Sequence, residues 1–227
     1  MPRTGLTTEE VKEKAIQAAE RKIRKLGFEK FRLLDIAKEL GVAHTSLYNH
    51  FSDKSALLEA VCEKWVHSMD IPLGEIAQHD KTPKKLIEEW LLTLHRLKRE
   101  KVLKDSELLR AFYSGTKAKR PFVLAHIKFL EEQLQSIVQK SIDAAEIREK
   151  NAGKVTQILL DATLSYTHFQ FVSEFIKVDR EPALKNLIKV ILTAYKGDSY
   201  HGIYLPNRIE ENVRGSTFSD IELRDSA

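Results

Sequence analysis

The spacing of apolar residues is the feature that most constrains the fold of this chain. From the first residues to about residue 196, apolar side chains recur every three to four positions, which is the period of a helix with one buried face. No alternating run of apolar and polar residues is long enough to indicate a strand. Glycine and proline interrupt the pattern at intervals. The sequence therefore predicts an all-α protein built from short and long helices.

The composition is that of a folded globular protein. Of the 227 residues, 42% are hydrophobic and 31% are charged, with a net charge of +4. No stretch approaches the roughly 18 uncharged apolar residues of a membrane span, and no secretory signal follows Met1. A single cysteine, Cys62, excludes an internal disulfide. We therefore expect a soluble, cytoplasmic protein without a membrane partner.

Local signals predict where the helices begin and end. Thr7 and Glu10 have the spacing of a capping box at the start of the first helix, and Gly27 is suited to end it. Short helices are expected over 33–40 and about 44–50, and a fourth after Ser52. After a boundary at Pro72 and Gly74, further helices are expected from Pro83 and over 102–113, 121–149, 154–178 and 182–196.

The two short helices are separated by only three residues, Gly41-Val42-Ala43, as in a helix-turn-helix. Gly41 can adopt a left-handed turn conformation, and the small Ala37 lets the helices approach closely. A plain helical hairpin has the same pattern, so spacing alone leaves DNA binding and a structural hairpin both open. The second helix would point short polar groups outward, suited to base edges and phosphates: His44, Thr45, Ser46, Tyr48 and Asn49.

Residues 7–66 resemble the N-terminal domain of the TetR family of transcriptional regulators. The resemblance rests on four segments: Ile16-x-Ala18-Ala19, Gly27-Phe28, Ile36-Ala37-x-x-Leu40-Gly41-Val42, and Leu47-Tyr48-x-x-Phe51-x-x-Lys54-x-x-Leu57. It implies an all-α homodimeric repressor that leaves its palindromic DNA operator when a small-molecule effector binds the C-terminal domain. The expected division is a helix-turn-helix DNA-binding domain at 1–66, a helical effector-binding and dimerisation domain at 67–196, and an irregular C-terminal tail at 197–227.

The resemblance also implies roles for individual residues. His44, Thr45 and Ser46 stand where the recognition helix of the family faces bases, and Tyr48 and His50 stand where it meets the DNA backbone. Partial burial of Tyr48 beside Leu47 and Phe51 is the structural alternative, and a solvated surface position is the alternative for His44.

Lys54 stands where the family places a phosphate-binding lysine, at the start of the fourth helix. Two positions depart from the family. Phe31-Arg32 replaces the usual serine or threonine before the second helix, and Ala43 replaces a capping residue, which weakens the recognition helix by about 1 kcal/mol. Arg32 could supply a charged phosphate contact or remain solvated. The predicted DNA-binding residues are Arg32, His44, Thr45, Ser46, Tyr48, Asn49, His50 and Lys54.

Aromatic residues are frequent in the predicted C-terminal domain. Aromatic residues at helical spacing usually form a core, but pockets between helices are also common ligand sites. We expect a mostly apolar or aromatic effector, with an acidic group facing the basic segment from Arg96 to Lys104. That segment could equally be a solvated helix face. The candidate effector-binding residues are Trp90, Phe112, Tyr113, Tyr166 and Phe171.

The segment 154–178 carries apolar residues on more than one side, which predicts a dimer interface. A helix that is apolar nearly all round must be buried nearly all round, and 182–196 shows the same pattern. Two such helices from each of two chains would form a four-helix interface with two-fold symmetry. The alternative is that 121–149 covers both stripes within one chain. The predicted interface residues are Ala162, Ser165, Phe169, Leu184, Ile188 and Ile191.

The sequence carries no pattern typical of an enzyme or a metal site. It lacks a phosphate-binding glycine loop, a His-Glu-x-x-His pair and a Gly-x-Ser-x-Gly elbow. His95, His126 and His168 have no carboxylate or cysteine at metal-ligand spacing, so neither a metal nor a cofactor is expected. A regulator of the same fold that is controlled by a protein partner or is architectural, without a ligand pocket, is the main alternative. A helical enzyme or carrier is the remaining one.

Overall fold

The computed structural model describes residues 7–114 and 121–196, and every regular element within those ranges is a helix. The prediction of an all-α fold is therefore confirmed. The predicted irregular tail at 197–227 lies outside the described residues. The described helices are α1 (Thr8–Leu26), α2 (Leu33–Leu40), α3 (His44–Tyr48), α4 (Lys54–His67), α5 (Asp70–Ile76), α6 (Pro83–Lys104), α7 (Ser106–Ser114), α8 (Pro121–Asp143), α9 (Ala152–Thr167), α10 (Phe169–Glu174) and α11 (Glu181–Ala194).

Helix α1 has the ends that its sequence predicts. The Thr7 hydroxyl accepts a hydrogen bond from the Glu10 backbone N–H, and the Glu10 carboxylate accepts one from the Thr7 N–H. Gly27 ends the helix with φ +86°, a conformation that side chains disfavour, and its N–H still bonds to Ile23 O. The apolar Leu26 is 48% exposed, since it lies in the last turn.

The C-terminal helices differ from the sequence prediction at several places, and the expected helix over 121–149 ends at Asp143. Pro72 and Gly74 do not form a boundary but lie inside the short α5. The expected helix over 154–178 breaks at His168, whose backbone is extended (φ −84°, ψ 131°). The His168 Nδ1 accepts a hydrogen bond from the Gln170 N–H, so this residue starts α10 rather than continuing α9.

Helix α6 is the central helix of the C-terminal part. It contacts α5, α7, α8, α9, α10 and α11, and its Ile87, Trp90 and Leu91 are fully buried. Helices α2, α3 and α4 pack around α1, and α7 contacts α1, α4 and α6. The N-terminal helices are therefore held against the rest of the chain through α7 and α4. No helix of the described residues is long and apolar enough to cross a bilayer.

Asp105, between α6 and α7, links the N-terminal helices α1 and α4 to the C-terminal part of the chain. Its Oδ1 accepts a hydrogen bond from Arg24 Nε of α1 at 2.7 Å, and its Oδ2 accepts one from Trp65 Nε1 of α4 at 2.8 Å. Lys101 of α6 donates from Nζ to Trp65 O at 2.6 Å. Burial alone would raise the pKa of Asp105, but the bonds from Arg24 and Trp65 outweigh it and hold that pKa below its usual value. The carboxylate thus fixes the end of α4 to the centre of the molecule.

Candidate nucleic-acid interface

Helices α2 and α3 form a tight helix-turn-helix. Gly41 adopts the left-handed conformation (φ 65°, ψ 24°) that the sequence predicts for this turn. Its neighbour Val42 donates from its N–H to Ala37 O at 3.1 Å, and Ala37 itself is only 2% exposed. A larger side chain at position 37 would separate the two helices. The turn therefore fixes how α3 leaves α2.

Helix α3 is anchored on one side and exposed on the other. Leu47 is fully buried against the core. Tyr48 is 45% exposed, and its ring meets the His44 ring edge-on with centroids 4.6 Å apart. Ala43 provides no side-chain cap, as its sequence predicts. The exposed candidates are His44, Thr45, Tyr48 and Asn49, and the half-buried ones are Ser46 and His50.

Arg32 and Lys54 lie at the starts of α2 and α4, the helices before and after α3 in the chain. Lys54 is the first residue of α4, which Asp53 caps by accepting from the Ala56 N–H. The Lys54 Nζ donates to Glu29 O at 2.7 Å and lies 4.8 Å from the centre of the Phe31 ring. An ammonium has three donors, so this bond leaves two for another acceptor. Arg32 precedes α2, is exposed and forms no side-chain cap.

The five candidate effector-binding aromatics do not converge on one site. Trp90 is fully buried and donates from Nε1 to Gln133 Oε1 at 3.2 Å. The Arg180 guanidinium lies over the Tyr166 ring, with its central carbon 4.1 Å from the ring centre. Phe171 instead contacts His168, with ring centroids 5.8 Å apart.

Phe112 and Tyr113 belong to a separate aromatic cluster. The Phe112 ring packs against Trp65, Tyr113, Phe122 and Phe169, with centroids 5.9–6.4 Å apart. Shallow cavities of about 340 and 450 Å³, both open to solvent, lie among the described residues, the first lined by Arg24 and Arg110 and the second by Glu132 and Gln139. None of the five candidate aromatics lines either cavity.

The basic segment of α6 is not a uniform solvated face. Arg96 pairs with Glu181, and Arg99 donates to the backbone oxygens of Ile176 and Val178. Lys98 is buried, its Nζ lies 4.0 Å from the centre of the Phe169 ring, and burial lowers its pKa to about 7. Arg96 and Arg99 thus contact the start of α11 and the segment before it, while Lys98 is withdrawn from solvent.

One cluster of polar side chains is not predicted by sequence spacing. His67 at the end of α4, Asp70 at the start of α5 and His126 of α8 bring one ligand atom each within 4.8 Å of the others. His67 and Asp70 are three residues apart, but only the packing of α8 adds His126. Burial, together with the positive charges of Lys98 and His67, lowers the pKa of His126 to about 3.

Three residues that the sequence predicts at a dimer interface lie in the core of the single chain, which corrects that assignment. Phe169 is 4% exposed, and Leu184 and Ile188 are fully buried. The break at His168 turns Phe169 onto the Trp65 ring, with centroids 5.2 Å apart. Helix α11 packs against α6 and α9, and this packing covers the other two.

The remaining interface candidates, Ala162, Ser165 and Ile191, are at least partly exposed. Helix α11 also carries a second apolar stripe outside its buried one, and one of its members, Val190, is 66% exposed. That stripe consists of Ala183, Leu187, Val190 and Ala194.

Two family models match the chain, and together they cover about two thirds of it. Residues 15–61 match the model of bacterial regulatory proteins of the tetR family. Residues 83–188 match the tetracyclin repressor-like C-terminal domain. None of the curated proteins matches the chain in sequence.

Solved structures share the fold at low sequence identity. A protein of unknown function from Rhodococcus sp. RHA1 has a TM-score of 0.61 at 16% identity, covering 82% of this chain and 96% of its own. A TetR/AcrR-family regulator from Thermobifida fusca YX-ER1 has a TM-score of 0.60 at 18% identity, covering 84% and 98%. SmeT in complex with triclosan has a TM-score of 0.55 at 19% identity, covering 87% and 95%.

Proposed function

This chain belongs to the TetR family of DNA-binding transcriptional regulators, which are not enzymes. From that premise we propose that it is a homodimeric repressor that a small effector releases from a palindromic operator. We propose that residues 1–66 bind DNA and that residues 67–196 bind the effector and form the dimer. The tail at 197–227 is proposed as a separate segment.

The exposed face of α3 is the observation that carries this proposal. A recognition helix must present polar side chains to the major groove while its other side is anchored. Leu47 anchors α3, and the polar side chains beside it face outward. We propose that His44, Thr45, Ser46 and Asn49 face base edges, and that Arg32, Tyr48, His50 and Lys54 contact the phosphate backbone.

Dimerisation is proposed through the outward faces of α9 and α11. The second apolar stripe on α11 is only partly covered by the described residues, and its Val190 is 66% exposed. Ala162 is a small exposed residue on α9, which packs beside α11. A two-fold axis through this surface would place two α3 helices on half-sites about one helical turn, or a multiple of it, apart.

The binding of a small effector by this fold is supported by a solved structure. The solved structure of SmeT, which shares the fold, is a complex with triclosan. The separation of the candidate aromatics into distinct packed groups favours a second candidate function. In that alternative, the same DNA-binding chain responds to a signal that needs no cavity of drug-like size.

The DNA-binding proposal is tested by two variants with different expected effects. Lys54→Gln removes a charge and retains a donor for Glu29 O, so it should weaken specific and non-specific binding alike and reduce the salt slope by about one unit. Thr45→Ala should change the preference for particular base pairs by about 1–3 kcal/mol. Fluorescence anisotropy with a duplex that the wild-type protein selects from a random-sequence library measures both effects.

Lys189→Gln is the matched control for these variants. It removes one positive charge from an exposed position of α11, away from α3, and should leave the salt slope unchanged. Equal DNA affinity and equal sequence preference in wild type, Lys54→Gln and Thr45→Ala would overturn the assignment of α3 as the recognition helix.

A further inference from the structure

We propose that His67, Asp70 and His126 form a binding site for a divalent transition-metal ion. The three side chains come from three helices, and one ligand atom of each lies within 4.8 Å of the other two. His67 Nδ1 is 2.5 Å from Asp70 Oδ2, and His126 Nδ1 is 3.0 Å from Asp70 Oδ1. An ion here would replace the proton of the hydrogen bond between His67 Nδ1 and Asp70 Oδ2, and the three side chains would shift to reach its usual bond lengths of about 2.0–2.2 Å.

His126 is the strongest indication of a missing partner. Its side chain is 3% exposed, and neither ring nitrogen forms a hydrogen bond within the described residues. The 3.0 Å separation from Asp70 Oδ1 would allow a hydrogen bond, but the two atoms are not aligned for one, and Asp70 Oδ1 is also unpartnered. Buried polar atoms are rarely left in this state. A shared cation would accept the lone pairs of both atoms.

The donor set selects the class of metal. Two imidazole nitrogens and one carboxylate oxygen suit zinc, iron, cobalt or nickel, whereas magnesium and calcium prefer oxygen ligands alone. Three protein ligands leave at least one coordination position for water or a small anion. We therefore assign the site to zinc or a neighbouring first-row divalent ion.

The positive charge of Lys98 is the feature that opposes metal binding here. Its ammonium acts electrostatically on both His126 and Asp70. It is held at 4.0 Å over the Phe169 ring, where the aromatic face stabilises it. The Asp70 carboxylate adjoins both histidines and offsets part of this charge.

The position of the cluster connects it with DNA binding. His67 is the last residue of α4, the helix that begins at Lys54 beside the recognition helix, and Asp70 is the first residue of α5. His126 belongs to α8, which contacts both α4 and α5. A bound ion would therefore fix the α4–α5 junction to α8. This regulatory role rests on the proposed function and supplies a signal that needs no large cavity.

Metal binding is tested without DNA on the full-length protein after treatment with EDTA. Cobalt(II) is titrated while its visible d–d absorption is followed, and zinc then competes for the site. We expect one cobalt ion per chain for the wild type. Replacing an outer-shell partner of a metal typically costs 10–100-fold in affinity, so loss of a ligand in His126→Gln or His67→Gln should cost about 100-fold or more.

His79→Gln is the matched control, because His79 is an imidazole beside a carboxylate, Glu89, but lies outside the cluster. It should bind cobalt like the wild type. Since His67 is half-buried, His67→Gln should fold even if His126→Gln does not, and circular dichroism in EDTA checks both. Equal cobalt affinity in the wild type and His67→Gln, or no cobalt spectrum in the wild type, would overturn the site.

A second titration separates the site from its regulatory role. The affinity for the selected duplex is measured with EDTA and with saturating zinc, and we expect it to differ by about 10-fold, within the usual range of allosteric coupling. Unchanged DNA affinity with intact cobalt binding would overturn the regulatory role alone. Absence of DNA binding under both conditions would overturn the proposed function and leave the metal site standing.

Discussion

Replacing Val190 with glutamate is expected to convert the proposed dimer into a monomer and to weaken operator binding by at least ~1,000-fold. Val190 is 66% exposed in the single chain, so the new carboxylate is solvated in the monomer and the chain should still fold. In a dimer, the same carboxylate would be buried opposite its symmetry mate without a partner. A monomer contacts only one half-site. It therefore loses most of the difference in affinity between specific and non-specific DNA, which is typically 10³–10⁷-fold.

Sedimentation velocity and DNA anisotropy together measure this effect. Lys189→Glu is the control, because it places glutamate at an exposed position of α11 outside the apolar stripe. It should remain a dimer. A Val190→Glu protein that sediments as a dimer and binds the selected duplex like the wild type would show that this face of α11 is not the interface.

The second large effect is expected at Asp105, which joins α1 and α4 to α6. Asp105→Asn removes the negative charge that accepts from both Arg24 and Trp65, and we expect the free energy of unfolding at pH 7 to fall by about 2 kcal/mol. The pKa of the carboxyl is lower in the folded chain than its usual value. Its contribution to stability is therefore fully present above the unfolded pKa of about 3.9 and is lost as pH falls through the lower folded value.

Urea unfolding of both proteins across a pH series checks this prediction. The difference between wild type and Asp105→Asn should stay constant near neutral pH and shrink below about pH 4. Asp143→Asn, at an exposed carboxylate at the end of α8, should change stability by no more than about 0.5 kcal/mol. A difference that persists undiminished in acid would show that the charge of Asp105 is not its source.

The sequence predicts those parts of the fold that local chemistry determines. The capping box at Thr7, the left-handed Gly41 and the bounds of α2 each depend on a few neighbouring residues, and all are observed. These same local signals position α3, so its outward candidates could be named before the structure, whereas Arg32, His50 and Lys54 were named from the family resemblance. Their contacts with DNA remain predictions.

The remaining features depend on residues that are distant in sequence. Phe169 lies on a helical apolar stripe, but the cap formed by His168 and the stacking on Trp65 turn it into the core. His126 joins His67 and Asp70 only because α8 packs against α4 and α5. Helical periodicity identifies a buried face without telling whether the same chain or a second copy covers it, so three of the six interface residues were assigned wrongly.

Hydroxyl-radical footprinting of the wild-type protein on the selected duplex tests the central claim most directly. If α3 of each chain in a dimer enters the major groove, we expect two protected blocks related by a two-fold axis, with centres about 10 base pairs apart or a multiple of that distance. Both blocks should weaken together as salt is raised. Uniform protection without a preferred sequence, or a single block that is unchanged in Thr45→Ala, would contradict recognition by a pair of α3 helices.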